Sequence, residues 1–347
     1  MPQTTPHLIR SNRKAPNYKL RFIILTALAA ACFLLSISAG RYGITPYEVI
    51  RTLFSGIIPF DQMTYVDWSA VFNVRLPRIC AAFLVGAALA TAGAAYQGMF
   101  QNPLVSPDIL GASAGAGFGA ALAIFTHQPP VLVTVFAFTG AIIAVFAAYT
   151  VSRLAKGNAT LSLVLGGVLV GGLFAAGTSY IKLVADTANQ LPEITYWLMG
   201  GLAGIQTSDV IFALIGIAIG IIPLIILRWQ LNVLTLGDDE ARSLGVNTRR
   251  LRLITIICAT LITAVAVSVS GIIGWIGLVI PHFCRMIFGY DYRRLIPAAI
   301  IFGGAFLILV DDVARTAAST EIPIGILTAF IGAPIFAWLL ISGGKRS

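Results

Sequence analysis

Charge is the component that this sequence lacks most. Only 11% of its 347 residues are Asp, Glu, Lys or Arg, whereas 58% are apolar, and the mean hydropathy is +0.89. A soluble domain of ordinary composition carries about 25% charged residues, so this chain has too few charges to cover a water-facing surface. The composition therefore excludes a soluble enzyme, a disordered chain and a disulfide scaffold, and it indicates an integral membrane protein.

The sequence also lacks the common signatures of catalysis and of metal binding. Its four cysteines are far apart in the chain, and no CxxC, HExxH or GxxxxGK[ST] pattern is present. We therefore predict no catalytic residue, no metal site and no cofactor. Without a P-loop, any ATP that drives the protein has to be bound by a different chain.

Uncharged stretches predict the membrane spans, because each crossing of a bilayer by a helix needs about 20 apolar residues. Three stretches are too long for one crossing, and Pro or Gly residues divide them, since these residues interrupt helices. Ten spans result, at residues 22–40, 79–98, 109–126, 131–152, 159–181, 208–228, 251–269, 273–288, 295–310 and 322–342. The leftover apolar segment from Pro192 to Gly204 is too short to cross and is predicted to be a re-entrant or surface helix.

Basic residues predict the orientation of these spans. With both termini in the cytoplasm, 17 of the 23 Lys and Arg residues lie inside, as the positive-inside rule requires. The net charge of +9 is then explained by membrane orientation, and no nucleic-acid partner is expected. Residues 1–21 become a cytoplasmic tail, 22–342 a single ten-span domain and 343–347 a second tail. The first apolar run is too long for a typical signal-peptide core of about 7–15 residues, so we expect it to stay uncleaved.

The most informative loop runs from about residue 229 to 250. Asp238, Asp239 and Glu240 open a short helical stretch, where negative charge suits the helix dipole, and Gly245 can cap its other end. A short helix of this kind between two spans suits the docking of a cytoplasmic partner. An ordinary solvated loop is the alternative interpretation.

Together with several other stretches, this loop resembles the permease subunits of vitamin B12, haem and ferric-siderophore importers, the type II ABC importers. The resemblance covers roughly residues 20 to 342, and the order and spacing of the stretches make it specific. The other matching stretches are Arg75-Leu76-Pro77-Arg78, Gln97-Gly98 through Asn102-Pro103-Leu104, Pro107-Asp108-Ile109-Leu110-Gly111, Gly277-Leu278-Val279-Ile280-Pro281-His282, Asp312-Val313-Ala314-Arg315, and Ile322-Pro323-Ile324-Gly325 through Gly332-Ala333-Pro334.

The resemblance implies an all-α membrane protein with the type II ABC importer permease fold, ten transmembrane helices per subunit, N-in and C-in. It implies a second permease subunit, two ABC ATPase subunits and a periplasmic or lipid-anchored binding protein as partners. The chain is expected to be a non-catalytic subunit in a bacterial or archaeal cytoplasmic (inner) membrane, working by alternating access. The stretch Pro107-Asp108-Ile109-Leu110-Gly111 favours an iron chelate, a ferric siderophore above all, and haem, cobalamin and molybdate stay open.

The resemblance also assigns three groups of site residues. Arg75, Arg78 and Arg315 are implied to dock the binding protein, although the first two could be interfacial anchors and Arg315 could pair with Asp311 or Asp312. The implied contacts with the ATPase are Gly237, Asp238, Glu240, Ala241, Arg242, Leu244 and Gly245. The implied gate and pathway residues are Asn102, Leu104, Thr160, Leu161, Gly166, Gly167 and Gly171, and Leu161 departs from the small polar residue of the family pattern.

Three rival functions are weighed against this one. An ion-coupled secondary transporter is a distant alternative, because the predicted spans contain almost none of the ionisable side chains that such carriers usually need. A membrane enzyme acting on lipid would need a cluster of acids or a Cys/His pair at one face. The permease of an exporter conflicts with the external arginines.

Overall fold

The computed structural model describes residues 17–40, 46–54, 65–155 and 159–343, and every regular element in these ranges is helical. Both predicted tails lie largely outside the described residues: the N-terminal tail is described only from residue 17, and the C-terminal tail only at residue 343.

In chain order, the helices are α1 (Tyr18–Ser38), α2 (Pro46–Phe54), α3 (Tyr65–Ser69), α4 (Leu76–Met99), α5 (Ala112–Phe125), α6 (Pro130–Leu154), α7 (Ala159–Val184), α8 (Gln190–Leu198), α9 (Thr207–Ile226), α10 (Arg228–Leu234), α11 (Asp238–Ser243), α12 (Thr248–Ser270), α13 (Ile276–Phe288), α14 (Tyr292–Thr316) and α15 (Ile324–Gly343). A π-helical segment, Ala70–Arg75, leads into α4, and a 3₁₀ turn, Pro107–Leu110, precedes α5.

Each predicted span coincides with one helix: α1, α4, α5, α6, α7, α9, α12, α13, α14 or α15. Within the described residues, seven of these helices are long and apolar enough to cross a membrane, and the exceptions α5, α13 and α15 are shorter apolar helices. The short segment predicted at residues 192–204 overlaps α8. The helical character of the spans is thus confirmed, whereas a count of ten crossings stays a prediction.

The helix boundaries differ from the predicted spans where a charged residue belongs to the helix. α14 continues to Thr316, beyond the predicted end at residue 310, and therefore contains Asp311, Asp312 and Arg315. The helix around α4 likewise starts before residue 79, because the π-helical segment begins at Ala70. Taking the end of each charge-free run as the end of a span placed these boundaries wrongly, because the charged side chains at these helix ends are paired or hydrogen-bonded inside the fold.

α13 starts later than predicted because a non-helical stretch precedes it. Gly271 and Trp275 have positive φ angles of 66° and 70°, and the helix begins only at Ile276. The N–H of Gly201 donates to the carbonyl of Ser270 at 2.8 Å, so this break is partly satisfied inside the protein. Non-helical backbone is tolerated at membrane depth when protein surrounds it in this way.

α4 is the central helix of the bundle. In the helical stretch that contains it, 83% of the most apolar window is buried, the largest share among the seven long helices. Glycines allow its neighbours to approach closely: a Cβ at Gly86 would overlap the carbonyl of Gly303 in α14, and one at Gly93 would overlap that of Gly277 in α13. Small residues at helix crossings are the usual means of close packing in membranes.

α7 is much less covered than α4. Only 22% of its apolar window is buried. One of its faces carries large apolar side chains that are more than half exposed, namely Leu161, Leu165, Val168, Leu169 and Leu173. In a membrane, such a face is covered by lipid or by another chain.

Replacing Gly93 by Ala is expected to destabilise the protein, because the added methyl group would overlap the backbone of Gly277. Overpacking costs about 1–3 kcal/mol, which exceeds the gain of about 1 kcal/mol in helix propensity. The measurement is the midpoint of thermal unfolding in detergent. Gly172→Ala is the matched control, since nothing lies within 4 Å of its added methyl group. Equal midpoints for the two variants would contradict tight packing at Gly93.

Candidate functional site

The three predicted docking arginines meet at one end of the bundle, although they are far apart in sequence. Arg75 ends the π-helical segment, Arg78 lies in the first turn of α4 and Arg315 in the last turn of α14. All three line one open cleft of about 270 Å³, together with Gly40, Ala70, Val74 and Glu321. We call this cavity the arginine cleft.

Arg78 is held by two carboxylates. Its Nε and Nη2 donate to Asp311 at 2.9–3.0 Å, while Nη1 and Nη2 donate to Glu321 at 2.9 and 3.0 Å. The side chain of Asp311 is 1% exposed and that of Glu321 is 29% exposed. Planar, two-pronged pairing of this kind is the strongest geometry available to an arginine and a carboxylate.

Arg315 and Arg75 fasten α1 to the same place. Arg315 donates to the carboxylate of Asp312 and to the carbonyl and hydroxyl oxygens of Ser36 in α1. Arg75 donates to the carbonyl of Ile37 at 2.7 Å. The internal pairing of Arg315 with Asp312, one of the alternatives, is thus present in the structure. All three arginines are buried, with 4–8% of each residue exposed, and docking of a partner stays a prediction.

Sequence reasoning undervalued two acids at this location: Glu321, which lines the cleft, and Asp311, which is buried behind it against Arg78. From the sequence, Asp311 was considered only as a possible partner of Arg315. In the structure its carboxylate lies 3.9 Å from the guanidinium of Arg315 but 2.9 Å from that of Arg78. The signal for an ion pair was its spacing of four residues from Arg315. No local signal linked Glu321 to Arg78, because 243 residues separate them.

Replacing Asp311 by Asn is expected to lower the stability of the folded protein by about 3–5 kcal/mol, since it leaves the buried Arg78 short of a charged partner. The midpoint of thermal unfolding in detergent measures the loss. Asp239→Asn serves as the control, because that side chain is 94% exposed and its pair with Arg242 is long, at 3.6 Å. A change within about 0.5 kcal/mol is expected there. Similar losses in the two variants would refute a stabilising role for the buried pair.

At a second location lies the loop at about residues 229–250, which we call the coupling segment, and the predicted ATPase contacts within it form a short helix between two glycines. α11 covers Asp238–Ser243, and Gly237 and Gly245 have positive φ angles of 122° and 80°. Gly245 follows the last turn in the left-handed conformation, as expected of a C-terminal cap. Ala241 is fully buried, whereas Leu244 is 55% exposed, so one side of the segment packs inward and the other faces outward.

The coupling segment is fixed to its neighbours by polar contacts. In α10, the Asn232 side chain donates to Asp291 at 2.7 Å and accepts from the N–H of Tyr292 at 2.7 Å, which ties it to the start of α14. Burial would raise the pKa of Asp291, but hydrogen bonds from Arg293 and Asn232 and the nearby arginines lower it below its ordinary value.

Arg252 joins the coupling segment to the predicted second gate. Its Nη2 donates to Asp238 at 3.0 Å, and its Nη1 donates to the hydroxyl of Thr160 at 3.1 Å. One guanidinium in α12 thereby connects the first residue of α11 with the first turn of α7. Arg252 was absent from the predicted site because 92 residues separate it from Thr160.

The other predicted gate residues lie at the break between α4 and α5. Asn102 accepts a hydrogen bond from the N–H of Leu104 at 2.9 Å, and Leu104 is 50% exposed. Gln97 supports this break by donating to the carbonyls of Val105 and Gly277, while it accepts from the buried Arg285 at 2.7 Å. The turn is therefore held by a hydrogen bond from Gln97 of α4, which is itself bonded to α13, and its role as a gate stays a prediction.

The predicted pathway glycines pack against the chain itself. A Cβ at Gly166 would lie 2.7 Å from the carbonyl oxygen of Ala148, and one at Gly167 would overlap the carbonyl of Ile109. A Cβ at Gly171 would lie 3.7 Å from the Cα of Gly111. The structure gives Gly166 and Gly167 a packing role between α7 and its neighbours, and their place in a pathway stays a prediction.

The described part of the chain contains no group of three or more His, Cys, Asp or Glu residues that could hold a metal ion. A chain of this apolarity, whose described regular elements are all helical and include seven helices able to cross a bilayer, is a multi-pass membrane protein. Residues 28–342 match the FecCD transport family. The chain belongs to this family, whose members are non-catalytic permease subunits of ABC importers.

Individual relatives agree with the family. A probable iron chelatin transport system permease protein of Helicobacter pylori is 42% identical over 270 residues, covering 78% of this chain and 82% of the relative. The molybdate import system permease protein of Haemophilus influenzae is 37% identical over 321 residues, covering 91% and 94%. A solved metal-chelate type ABC transporter in an inward-facing conformation is 35% identical, with a TM-score of 0.84 over 94% of this chain and all of that chain.

Proposed function

We propose that this chain is the ten-span permease subunit of an ATP-driven importer that brings an iron chelate, most favourably a ferric siderophore, into the cytoplasm. The observation that carries the proposal is a helix suited to docking an ATPase, α11, joined by one arginine to the first turn of α7. Haem, cobalamin and molybdate are alternative substrates of the same machine. The membrane is the cytoplasmic (inner) membrane of a bacterium or archaeon.

The stretch before α13 allows this short helix to be counted among the ten proposed crossings. α13 has 13 residues and is therefore about 20 Å long, less than the hydrocarbon thickness of about 30 Å. The non-helical stretch before it is satisfied within the protein and adds length. With N-in and C-in topology, α11 lies on the cytoplasmic side and the arginine cleft on the outer side.

The uncovered apolar face of α7 supports a dimer. A second permease subunit, identical or related, would cover part of this face and enclose a pathway between the two copies. An apolar lining would bind a substrate weakly, as a conduit requires. Substrate specificity would then rest largely with the binding protein, which would dock on the outer side of the permease.

Transport is proposed to follow alternating access driven by two separate ATPase subunits. Closure of the ATPases moves α11, and Arg252 passes that motion to α7, whose first turn carries the second gate. Such a movement is a rigid-body shift between two packings of the same helices. This chain forms no covalent intermediate.

The test of the proposed function is uptake by cells that carry or lack this gene. Labelled iron supplied as a ferric hydroxamate is expected to enter only when the chain is present, to stop when ATP is depleted and to survive a protonophore. Labelled haem, cobalamin and molybdate are the parallel arms that decide among the alternative substrates. Uptake that survives ATP depletion and collapses with the protonophore would identify an ion-coupled carrier instead.

Replacing Arg252 by Gln is expected to lower transport per ATP hydrolysed by about tenfold, because coupling between two sites typically spans about 5–150-fold. The link from α11 to α7 is lost, while the ATPases still bind. The measurement is the ratio of substrate transported to phosphate released by the whole importer in proteoliposomes.

Arg250→Gln is the matched control for this variant. Arg250 lies in the same turn of α12 and is exposed, so the substitution removes an equal charge without cutting the link. A normal ratio in the Arg252 variant, or an equal loss in both, would contradict the role of Arg252.

A further inference from the structure

Arg78 has little capacity left for a partner outside the chain. A guanidinium offers five N–H donors. Asp311 accepts from Nε and Nη2, and Glu321 accepts from Nη1 and Nη2, which leaves one N–H on Nη1 outside these pairs. A second protein that pairs a carboxylate with Arg78 in the two-pronged geometry must therefore displace one of the two acids already there, because a single N–H allows only one hydrogen bond.

The charges around the arginine cleft also balance. Its three arginines stand with three acids, Asp311, Asp312 and Glu321, so these six side chains sum to zero. An incoming carboxylate is attracted only weakly by a neutral cluster, and strongly once one acid has withdrawn. Charge and geometry thus lead to the same requirement, that a resident carboxylate leaves when a partner's carboxylate arrives.

The two acids on Arg78 differ in how readily they can leave. Asp311 is buried within α14, and to separate it from Arg78 would leave two uncompensated charges in the protein interior. Glu321 is 29% exposed and stands in the non-helical segment between α14 and α15. Because Glu321 is partly exposed, water and salt screen its ion pair with Arg78, and this pair is therefore weaker than the Arg78–Asp311 pair.

We propose that Glu321 occupies the position on Arg78 that a carboxylate of the substrate-binding protein takes on docking. Docking then exchanges one carboxylate for another and keeps the cleft neutral. The proposal rests on the proposed function, since it takes the importer's binding protein as the partner. Glu321 acts as an internal competitor, which keeps Arg78 satisfied while no partner is bound.

The exchange of carboxylates on Arg78 also affects α15, because Glu321 lies in a segment that is hydrogen-bonded to the end of α14 and to the residues after α8. The N–H of Ile322 donates to the carbonyl of Ala314 at 3.0 Å, at the end of α14. The N–H groups of Ile324 and Gly325 donate to the carbonyls of Gly200 and Met199, at 2.9 and 3.1 Å, just after α8. Release of Glu321 from Arg78 therefore removes the side-chain contact that ties this segment to α4, and its backbone hydrogen bonds to α14 and to the residues after α8 are left to position the start of α15.

The first test is the affinity of the complete importer, in lipid nanodiscs at low salt, for the purified substrate-binding protein of the same importer. Glu321→Gln keeps the shape of the side chain and removes its charge, so the Kd is expected to fall about tenfold. Glu193→Gln in α8 is the matched control. It removes the same charge from the same side in the proposed topology, but Arg78 does not contact it, and a change of less than twofold is expected.

The second test is hydrogen exchange of the backbone amides in residues 317–322. In the wild-type importer, adding the binding protein is expected to speed this amide hydrogen exchange. In the Glu321→Gln variant, the amide exchange is expected to be fast before the binding protein is added. The exchange rate of the variant before addition does not depend on the affinity for the binding protein.

Three outcomes would overturn the proposal: an unchanged or higher Kd for Glu321→Gln, an equal fall in Kd for both variants, or exchange that stays slow throughout. If neither the wild-type importer nor a variant binds a binding protein that still holds its substrate, the proposed function fails as well.

Discussion

A charge inside a membrane bundle has to be paired, and one end of this molecule depends on one such pair. Arg78 at the start of α4 meets Asp311 in α14 with both carboxylate oxygens within 3.0 Å. α4 is the central helix, so this pair fixes the most buried element to a neighbour that also carries the Arg315 contacts to α1. Three helices that are distant in sequence are thereby held at one end, with their polar groups satisfied among themselves.

Close packing holds the middle of the bundle, because the ion pairs among the described residues lie at its two ends. Along α4, glycines at the crossings with α13 and α14 let backbones touch, and many buried alanines pack around them. Lipid tails are as apolar as the helices, so helix association in a bilayer rests on packing and polar contacts rather than on escape from water. This explains how a chain with few charges holds a defined arrangement.

The positions of the helices could be predicted because one property, the absence of charge, marks a stretch that lipid can surround. The absence of charge did not predict the end of α14, because Asp311, Asp312 and Arg315 continue this helix as paired charges. The short helix at Asp238–Ser243 was predictable from local signals, three acids and two glycines. The contacts of Arg252 with Thr160 and of Arg78 with Glu321 were not, since 92 and 243 residues separate the partners and only the fold brings them together.

The two ends of the molecule use the same device. Arg78 shares its guanidinium between α14 and the segment before α15, and Arg252 shares its own between α11 and α7. In each case one partner belongs to a proposed docking region and the other to the body of the bundle. Arginine suits this position better than lysine, because its planar fork can hold two partners in fixed directions. In the proposed mechanism, a movement imposed at either face is passed on as a change of direction at one guanidinium.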